Sequence, residues 1–281
     1  EGTLGVITAA SLKLFPIPRT TETAFIAVRD PGAAAELLGR LRSATGDAVT
    51  SFEYLPRMAA ELTIRHIAGA SDPLGRPYSC YVLCEVASTR DDPGLRAILE
   101  ATLEDAMGSG LVLDAMLATS LAQRNALWRL RESVPEAQRA EGASIKNDVS
   151  VPVAALPDFM AAATAAVLAI VPAGRMVAYG HVGDGNLHFN VSEPAGGDRG
   201  AFVALEPQIQ AAVHAVVGRF RGSISAEHGI GRLKRDALAR HKSVVAIETM
   251  QAIKRAIDPK GIMNPGKVLP DVEAGEPRQG A

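Results

Sequence analysis

The stretch of sequence that decides the fold is residues 175–191, RMVAYGHVGDGNLHFNV. Its two halves have strand-forming composition and flank a Gly-Asp-Gly-Asn turn, which is the pattern of a β-hairpin. Beyond it, strand patterns are mostly separated by helical ones. The hairpin argues against a pure doubly wound sheet, whose parallel strands are joined by helices. We therefore predict an α+β domain in which helices pack on an antiparallel or mixed sheet.

The same hairpin carries His181 and His188, two of the six histidines in the chain. Imidazole is a common ligand of divalent metals and a common general base. Gly183 and Gly185 allow a positive φ, so the turn can direct both rings at one point. Asn190 follows His188 by two residues and shares its face on a strand. The alternative is a plain hairpin with incidental histidines, and this segment alone leaves both interpretations open.

A second glycine-rich segment, SAEHGIG at 225–231, places Glu227 beside His228. Two histidines and one glutamate form a familiar ligand set for a catalytic metal with an open position. In such a site the remaining histidine is available as an acid or a base. The two segments together therefore favour a metal-dependent catalytic site.

Composition excludes several function classes. A net charge of −2 and the absence of a long basic run argue against a nucleic-acid partner. Aromatic residues make up only 4% of the chain, so base-stacking platforms are not expected either. No apolar run approaches the roughly 18 residues of a membrane span. The hydrophobic and charged content is typical of a globular protein.

Cys80 and Cys84 lie four positions apart in a predicted strand. That spacing separates them by roughly 13 Å, which is too far for a disulfide. We predict two buried free thiols, consistent with a reducing compartment, and we expect a cytoplasmic protein.

Proline and glycine punctuate the chain into predicted elements. The opening segment 1–8, EGTLGVIT, has neither an initiator Met nor a signal-peptide pattern, so we expect natural residues before it, with any targeting signal among them. Pro16 and Pro18 end a predicted strand at 11–15 and indicate a domain boundary. Single helices are predicted at 120–140 and 200–221, and strands at 144–151 and 223–225. The polar residues 271–281 predict a flexible tail.

Four segments in order resemble a known family: 1–8, 181–190, 225–231 and DPKGIMNPGK at 258–267. They are similar to the C-terminal region of FAD-linked oxidases of the vanillyl-alcohol-oxidase type, and most of all to the D-2-hydroxyglutarate dehydrogenase and D-lactate dehydrogenase branch. The resemblance extends from Glu1 to about Leu269. It implies a ferredoxin-like cap domain at 19–270, and it implies that residues 1–18 are the end of an FAD-binding domain that is mostly absent.

The resemblance also implies an activity: oxidation of a D-2-hydroxy acid to the 2-oxo acid, with hydride transfer to FAD. A divalent metal, Zn or Mn, binds the substrate in that branch. The implied metal ligands are His181, His188 and Glu227, and His228 is the implied base and substrate contact. Further implied contacts are Arg131, Lys146 and Asn190 to the substrate, and Gly5, Ile7 and Asn264 to the cofactor. The electron acceptor is unknown, and a homodimer is one expectation for the assembly.

One position departs from the family pattern. Relatives that oxidise 2-hydroxyglutarate carry a hydroxyl residue four positions after the arginine, where this chain has Pro135. Proline has no side-chain donor for a second carboxylate, so D-lactate stays a candidate substrate beside 2-hydroxyglutarate. Two other functions remain open: an alkyl-transfer flavoenzyme of the same superfamily, and a non-enzymatic metal-binding module.

Overall fold

The computed structural model describes residues 1–270. The described residues divide into two compact units: Phe15–Ala226, and Glu1–Leu14 together with the residues from Glu227 to Pro270. The predicted tail at 271–281 lies outside the described residues. The roles assigned from the sequence to residues 1–18 and 19–270 stay predictions.

Within Phe15–Ala226, eight strands form one sheet in the order β4-β1-β3-β2-β7-β8-β5, with β6 also paired to β8. Every pairing is antiparallel. This confirms the predicted α+β class with an antiparallel sheet. The strands are β1 Thr20–Val28, β2 Val49–Pro56, β3 Cys80–Ser88, β4 Val112–Leu117, β5 Ser144–Ile145, β6 Asp148–Ser150, β7 Arg175–His181 and β8 Asn186–Ser192.

Helices connect and cover the strands. In the larger unit they are α1 Pro31–Thr45, α2 Arg57–His66, α3 Gly94–Gly108, α4 Leu121–Glu132, α5 Val134–Glu141, α6 Leu156–Leu168, α7 Arg199–Ala204 and α8 Glu206–Arg219; the smaller unit has α9 Arg235–His241 and α10 Val244–Ile257. Local chemistry explains their ends. Asp30 caps α1 by accepting from the backbone N–H of Ala33, and left-handed Gly46 ends the helix. No helix within residues 1–270 has the length and apolar character needed to cross a membrane.

The central strands are buried on both faces, since Phe25, Ile26 and Ala27 of β1 are all at most 1% exposed and successive side chains point to opposite sides. On one face, Leu55 and Tyr81 pack against α2, α4 and α5. A separate group of helices packs in the order α3, α1, α6 and α8. The face that packs against α2, α4 and α5 is the one that carries the candidate site.

Several predicted elements differ from the structure. Residues 11–15 form no strand, although their sequence alternates, because no neighbouring strand pairs with them. The helices predicted at 120–140 and 200–221 are each two helices, with Pro135 and Pro207 in the first turn of the second one, as expected where proline lacks the N–H that continues a helix. The predicted strand at 144–151 is two short strands, and 223–225 makes only one bridge, Ser150 to Ser223. Helix α9 was not predicted.

The cysteine prediction is confirmed. Cys80 and Cys84 are both free and buried in β3.

Candidate functional site

The β7–β8 hairpin owes its shape to two glycines. Gly185 has φ 77, as its place in the turn predicts, but the second positive φ belongs to Gly180 at 152 and not to Gly183. A side chain at Gly180 would approach the carbonyl oxygen of Asn186 to 2.6 Å. Asp184 stabilises the turn, because its Oδ1 accepts from the backbone N–H of Asn186 at 3.0 Å. Backbone geometry therefore fixes the separation of the two histidines.

The hairpin brings the rings of His181 and His188 together. Their centroids lie 6.1 Å apart with an interplanar angle of 73°. Tyr179 also packs against His188, with a centroid separation of 5.0 Å. The His181 side chain is 37% exposed and that of His188 is 16% exposed, so both rings reach the surface of this unit. The hairpin therefore brings the two rings near each other, and their shared role in one site stays a prediction.

Glu53 of β2 completes the arrangement, and sequence reasoning missed it. Glu53 is the direct partner of His181 in the antiparallel pairing of β2 with β7. Its Oε1 lies 2.5 Å from His181 Nδ1, and its Oε2 accepts from Arg131 Nε at 2.8 Å. The available signal was a carboxylate at the centre of the otherwise apolar run FEYL at 52–55. A charged residue inside a buried strand requires partners.

The environment keeps Glu53 ionised. Burial by itself raises the pKa of the Glu53 carboxyl, but the hydrogen bond with His181 and the charge of Arg131 outweigh burial and hold that pKa below its ordinary value. A carboxylate in this state is purely an acceptor. Arg131 is therefore a hydrogen-bond donor to it, whereas the role of His181 Nδ1 depends on which ring nitrogen carries the proton.

Arg131 of α4 lies beneath the hairpin. It is 7% exposed, and its guanidinium carbon lies 4.8 Å from the centre of the Tyr179 ring, a cation–π distance. Nε and Nη2 are both directed at Glu53. Nη1 is the guanidinium nitrogen without a Glu53 contact. We refer to Glu53, Arg131, Tyr179, His181 and His188 as the polar cluster.

Two other predicted residues, Asn190 and Lys146, belong to the same unit. Asn190 is buried on β8 and donates through Nδ2 to Gln138 Oε1 of α5 at 2.9 Å. Lys146 is exposed between β5 and β6. Asp148, which was not singled out from the sequence, has its Oδ1 4.0 Å from His188 Nδ1. Its Oδ2 accepts from the backbone N–H of Ala226, the last residue of the unit.

The remaining predicted residues belong to the smaller unit. Glu227 and His228 are exposed in an irregular segment. Gly5 and Ile7 are exposed near the N-terminus. Asn264 has a positive φ of 41 and donates through Nδ2 to the carbonyl oxygen of Glu1 at 2.6 Å. The metal, proton-transfer and cofactor roles of these residues stay predictions.

Comparison with known proteins agrees with this architecture. Residues 17–268 match the family model described as FAD linked oxidases, C-terminal domain. A relative from Oryza sativa subsp. indica, named probable D-2-hydroxyglutarate dehydrogenase, mitochondrial, is 36% identical over 271 residues, which are 96% of this chain and 47% of the relative. The D-2-hydroxyglutarate dehydrogenase of Xanthomonas citri pv. viticola is 36% identical over 269 residues, 96% of this chain and 56% of that protein. The chain thus spans about half the length of the curated relatives it matches.

Solved structures show the same fold at low sequence identity. An alkyldihydroxyacetonephosphate synthase matches with a TM-score of 0.60 at 14% identity, covering 94% of this chain and 48% of that one. A p-cresol methylhydroxylase matches with a TM-score of 0.61 at 13% identity, covering 89% of this chain and 53% of that one. At these identities the likeness concerns the fold alone.

Proposed function

Since the chain belongs to the FAD linked oxidases through their C-terminal domain, we propose that it forms the substrate-binding half of an FAD-dependent D-2-hydroxy-acid dehydrogenase. The observation that carries the proposal is the polar cluster: two imidazoles, an arginine and a carboxylate gathered at the edge of an apolar face. The names of the relatives favour D-2-hydroxyglutarate as substrate. D-Lactate is the second candidate, because Pro135 offers no donor for a second carboxylate.

His181, His188 and Glu227 would hold a divalent metal, Zn²⁺ or Mn²⁺. The donor chemistry fits: two imidazoles lie side by side on one hairpin, and a carboxylate is the usual third ligand of a catalytic site. Glu227 directly follows Ala226 in sequence. A bound metal lowers the pKa of a coordinated hydroxyl and so eases its deprotonation.

The residues of this chain then divide the work of binding and proton transfer. Arg131 and Lys146 would attract the substrate carboxylate, with Arg131 offering Nη1, and Asn190 would contribute an amide. Neutral His228 would take the hydroxyl proton at one ring nitrogen while the C2 hydride leaves the substrate. FAD, when bound, supplies the acceptor for that hydride, and Gly5, Ile7 and Asn264 are the proposed contacts to it.

Turnover of the full-length, FAD-loaded protein tests the proposal. With a panel of D-2-hydroxy acids, we expect activity on D-2-hydroxyglutarate or D-lactate, loss of activity after chelation with EDTA, and recovery on adding Zn²⁺ or Mn²⁺. His228→Ala should slow single-turnover flavin reduction by roughly 10²–10⁴-fold, the usual contribution of a general base. Full activity after EDTA would exclude the metal role, and a near-normal reduction rate in His228→Ala would exclude the proton-transfer role.

The same assay separates the alternative functions. An alkyl-transfer enzyme would convert a lipid acyl substrate without net oxidation, and product analysis would reveal it. A metal-binding module would show no electron transfer in the complete protein. A dye can replace the unknown electron acceptor in these assays; that acceptor, a homodimeric assembly and a cytoplasmic location stay predictions.

A further inference from the structure

Glu53 contacts two proposed functional groups at once. One carboxylate oxygen faces His181 Nδ1 at 2.5 Å, and the other accepts from Arg131 at 2.8 Å. The side chain is only 5% exposed, so water does not replace either partner. An ionised carboxylate has no proton to donate. Both contacts therefore require a donor on the partner, which Arg131 always provides and His181 provides only when Nδ1 carries a proton.

The protonation of Nδ1 decides which ring nitrogen can ligate. In a neutral imidazole one nitrogen carries the proton and the other holds the lone pair. With the proton on Nδ1, the lone pair is on Nε2. A hydrogen bond from a ligating histidine to a carboxylate fixes this tautomer, orients the ring and raises its basicity.

We propose that Glu53 is a positioning residue that holds His181 as the Nδ1-protonated tautomer for metal ligation through Nε2, and that fixes Arg131 with its second oxygen. One carboxylate thereby orients both a metal ligand, His181, and the arginine proposed to bind the substrate carboxylate, Arg131. The inference rests on the metal site in the proposed function. It adds the residue that prepares one ligand of that site.

The effect of a glutamine at position 53 follows from the hydrogen-bond donors and acceptors that its side chain offers. Glutamine has one acceptor oxygen and one NH₂ donor, whereas the carboxylate accepts on both sides. Arg131 can only donate, so it would form its hydrogen bond with the glutamine oxygen. The NH₂ group would then face His181 Nδ1, which must accept, and the ring proton would shift to Nε2. That nitrogen would no longer be ready to bind a metal.

Glu85 provides a matched control. It is a second buried glutamate on the neighbouring strand β3, and its side chain is 8% exposed. It bonds to Arg124 at 2.5 Å and to Thr23 at 2.8 Å, and so makes the same kind of ion pair with an arginine. Within residues 1–270, no hydrogen bond of Glu85 involves a histidine. Glu85→Gln therefore reports the cost of weakening a buried glutamate–arginine pair.

Zn²⁺ affinity of the full-length protein tests the proposal without measuring activity. Competition with a chromophoric chelator would give the dissociation constant of the wild type, Glu53→Gln and Glu85→Gln, with circular dichroism to confirm that each is folded. We expect Glu53→Gln to weaken Zn²⁺ binding by about 10–100-fold, the usual effect of losing such a partner. Glu85→Gln should change binding by less than about 3-fold.

A double variant separates positioning from simple structural damage. In Glu53→Gln with Arg131→Met, the glutamine oxygen no longer has an arginine partner and can turn to His181. We expect this second change to restore a large part of the lost Zn²⁺ affinity. Cumulative structural damage would instead weaken binding further.

Each outcome decides the matter. Wild-type affinity in Glu53→Gln, an equal loss in Glu85→Gln, or no recovery in the double variant would overturn the role of Glu53 while leaving the proposed metal site in place. A wild-type protein that binds no Zn²⁺ would overturn the metal site of the proposed function, and this inference with it.

Discussion

Replacing Gly185 with alanine tests the claim that backbone geometry fixes the hairpin. Gly185 has φ 77, where a side chain costs about 1–2 kcal/mol. The added Cβ would also collide with the carbonyl oxygen of Val151. Relief of that collision would break the hydrogen bond from Val151 N–H to Gly185 O, now 3.0 Å, which contributes about 1 kcal/mol. We therefore expect the free energy of unfolding to fall by about 3 kcal/mol.

Gly183 in the same turn is the matched control. It is absent from the positions with positive φ, and the nearest atom to an added Cβ is Nη2 of the flexible Arg42 side chain at 3.7 Å. Gly183→Ala should therefore cost less than about 1 kcal/mol.

Thermal unfolding of the two full-length variants measures the difference. Since 1 kcal/mol shifts the Tm of a domain of this size by about 2–4 °C, Gly185→Ala should melt roughly 6–12 °C below the wild type. Hydrogen exchange of residues 182–188 should accelerate in that variant only. Tm values for the two variants that agree within 2 °C would refute the reasoning.

Two further predictions concern groups away from the site. The hydrogen bond with His66, together with Arg175 and Arg65, lowers the pKa of Glu141 from the ordinary value of 4.5 to about 2. The ionised carboxylate therefore stabilises the folded protein above pH 4.5, and this stabilisation is lost as the pH falls from 4.5 towards 2. Glu141→Gln should cost about 1–2 kcal/mol near neutral pH, because solvent screens part of the interaction, and urea unfolding at several pH values should show this gap closing in acid; a gap independent of pH would contradict it. Burial raises the pKa of Cys80 to about 11 and of Cys84 to about 12, so peptide mass spectrometry should find neither thiol alkylated by iodoacetamide at pH 8 until the protein unfolds, and labelling of the native protein would contradict that expectation.

Local pattern accounted for most of the elements but not for all of their limits. Alternation and capping residues located the strands and helices of the sheet, because these features act over a few residues. The same alternation at 11–15 produced no strand, since a strand also needs a neighbour to pair with. Pro135 and Pro207 interrupt long stretches of helical periodicity, which predicted one continuous helix in each case. In the structure each proline lies in the first turn of a new helix.

For the candidate site, the sequence located its most local part. His181, the turn and His188 lie within eight residues, so their approach follows from hairpin geometry. The sequence resemblance identified five further candidate site residues: Arg131, Asn190, Lys146, Glu227 and His228. It did not indicate that Arg131 is held by a carboxylate.

By itself, then, the sequence determined the antiparallel hairpin, its two histidines and the family to which the chain belongs. Only the tertiary structure decided the partner of His181, since Glu53 is 128 positions away in sequence and meets it through the pairing of β2 with β7. Strand order and register arise from burying whole faces of the sheet, and no local pattern encodes which two strands become neighbours. The carboxylate that prepares one proposed ligand was for that reason visible only in the folded chain.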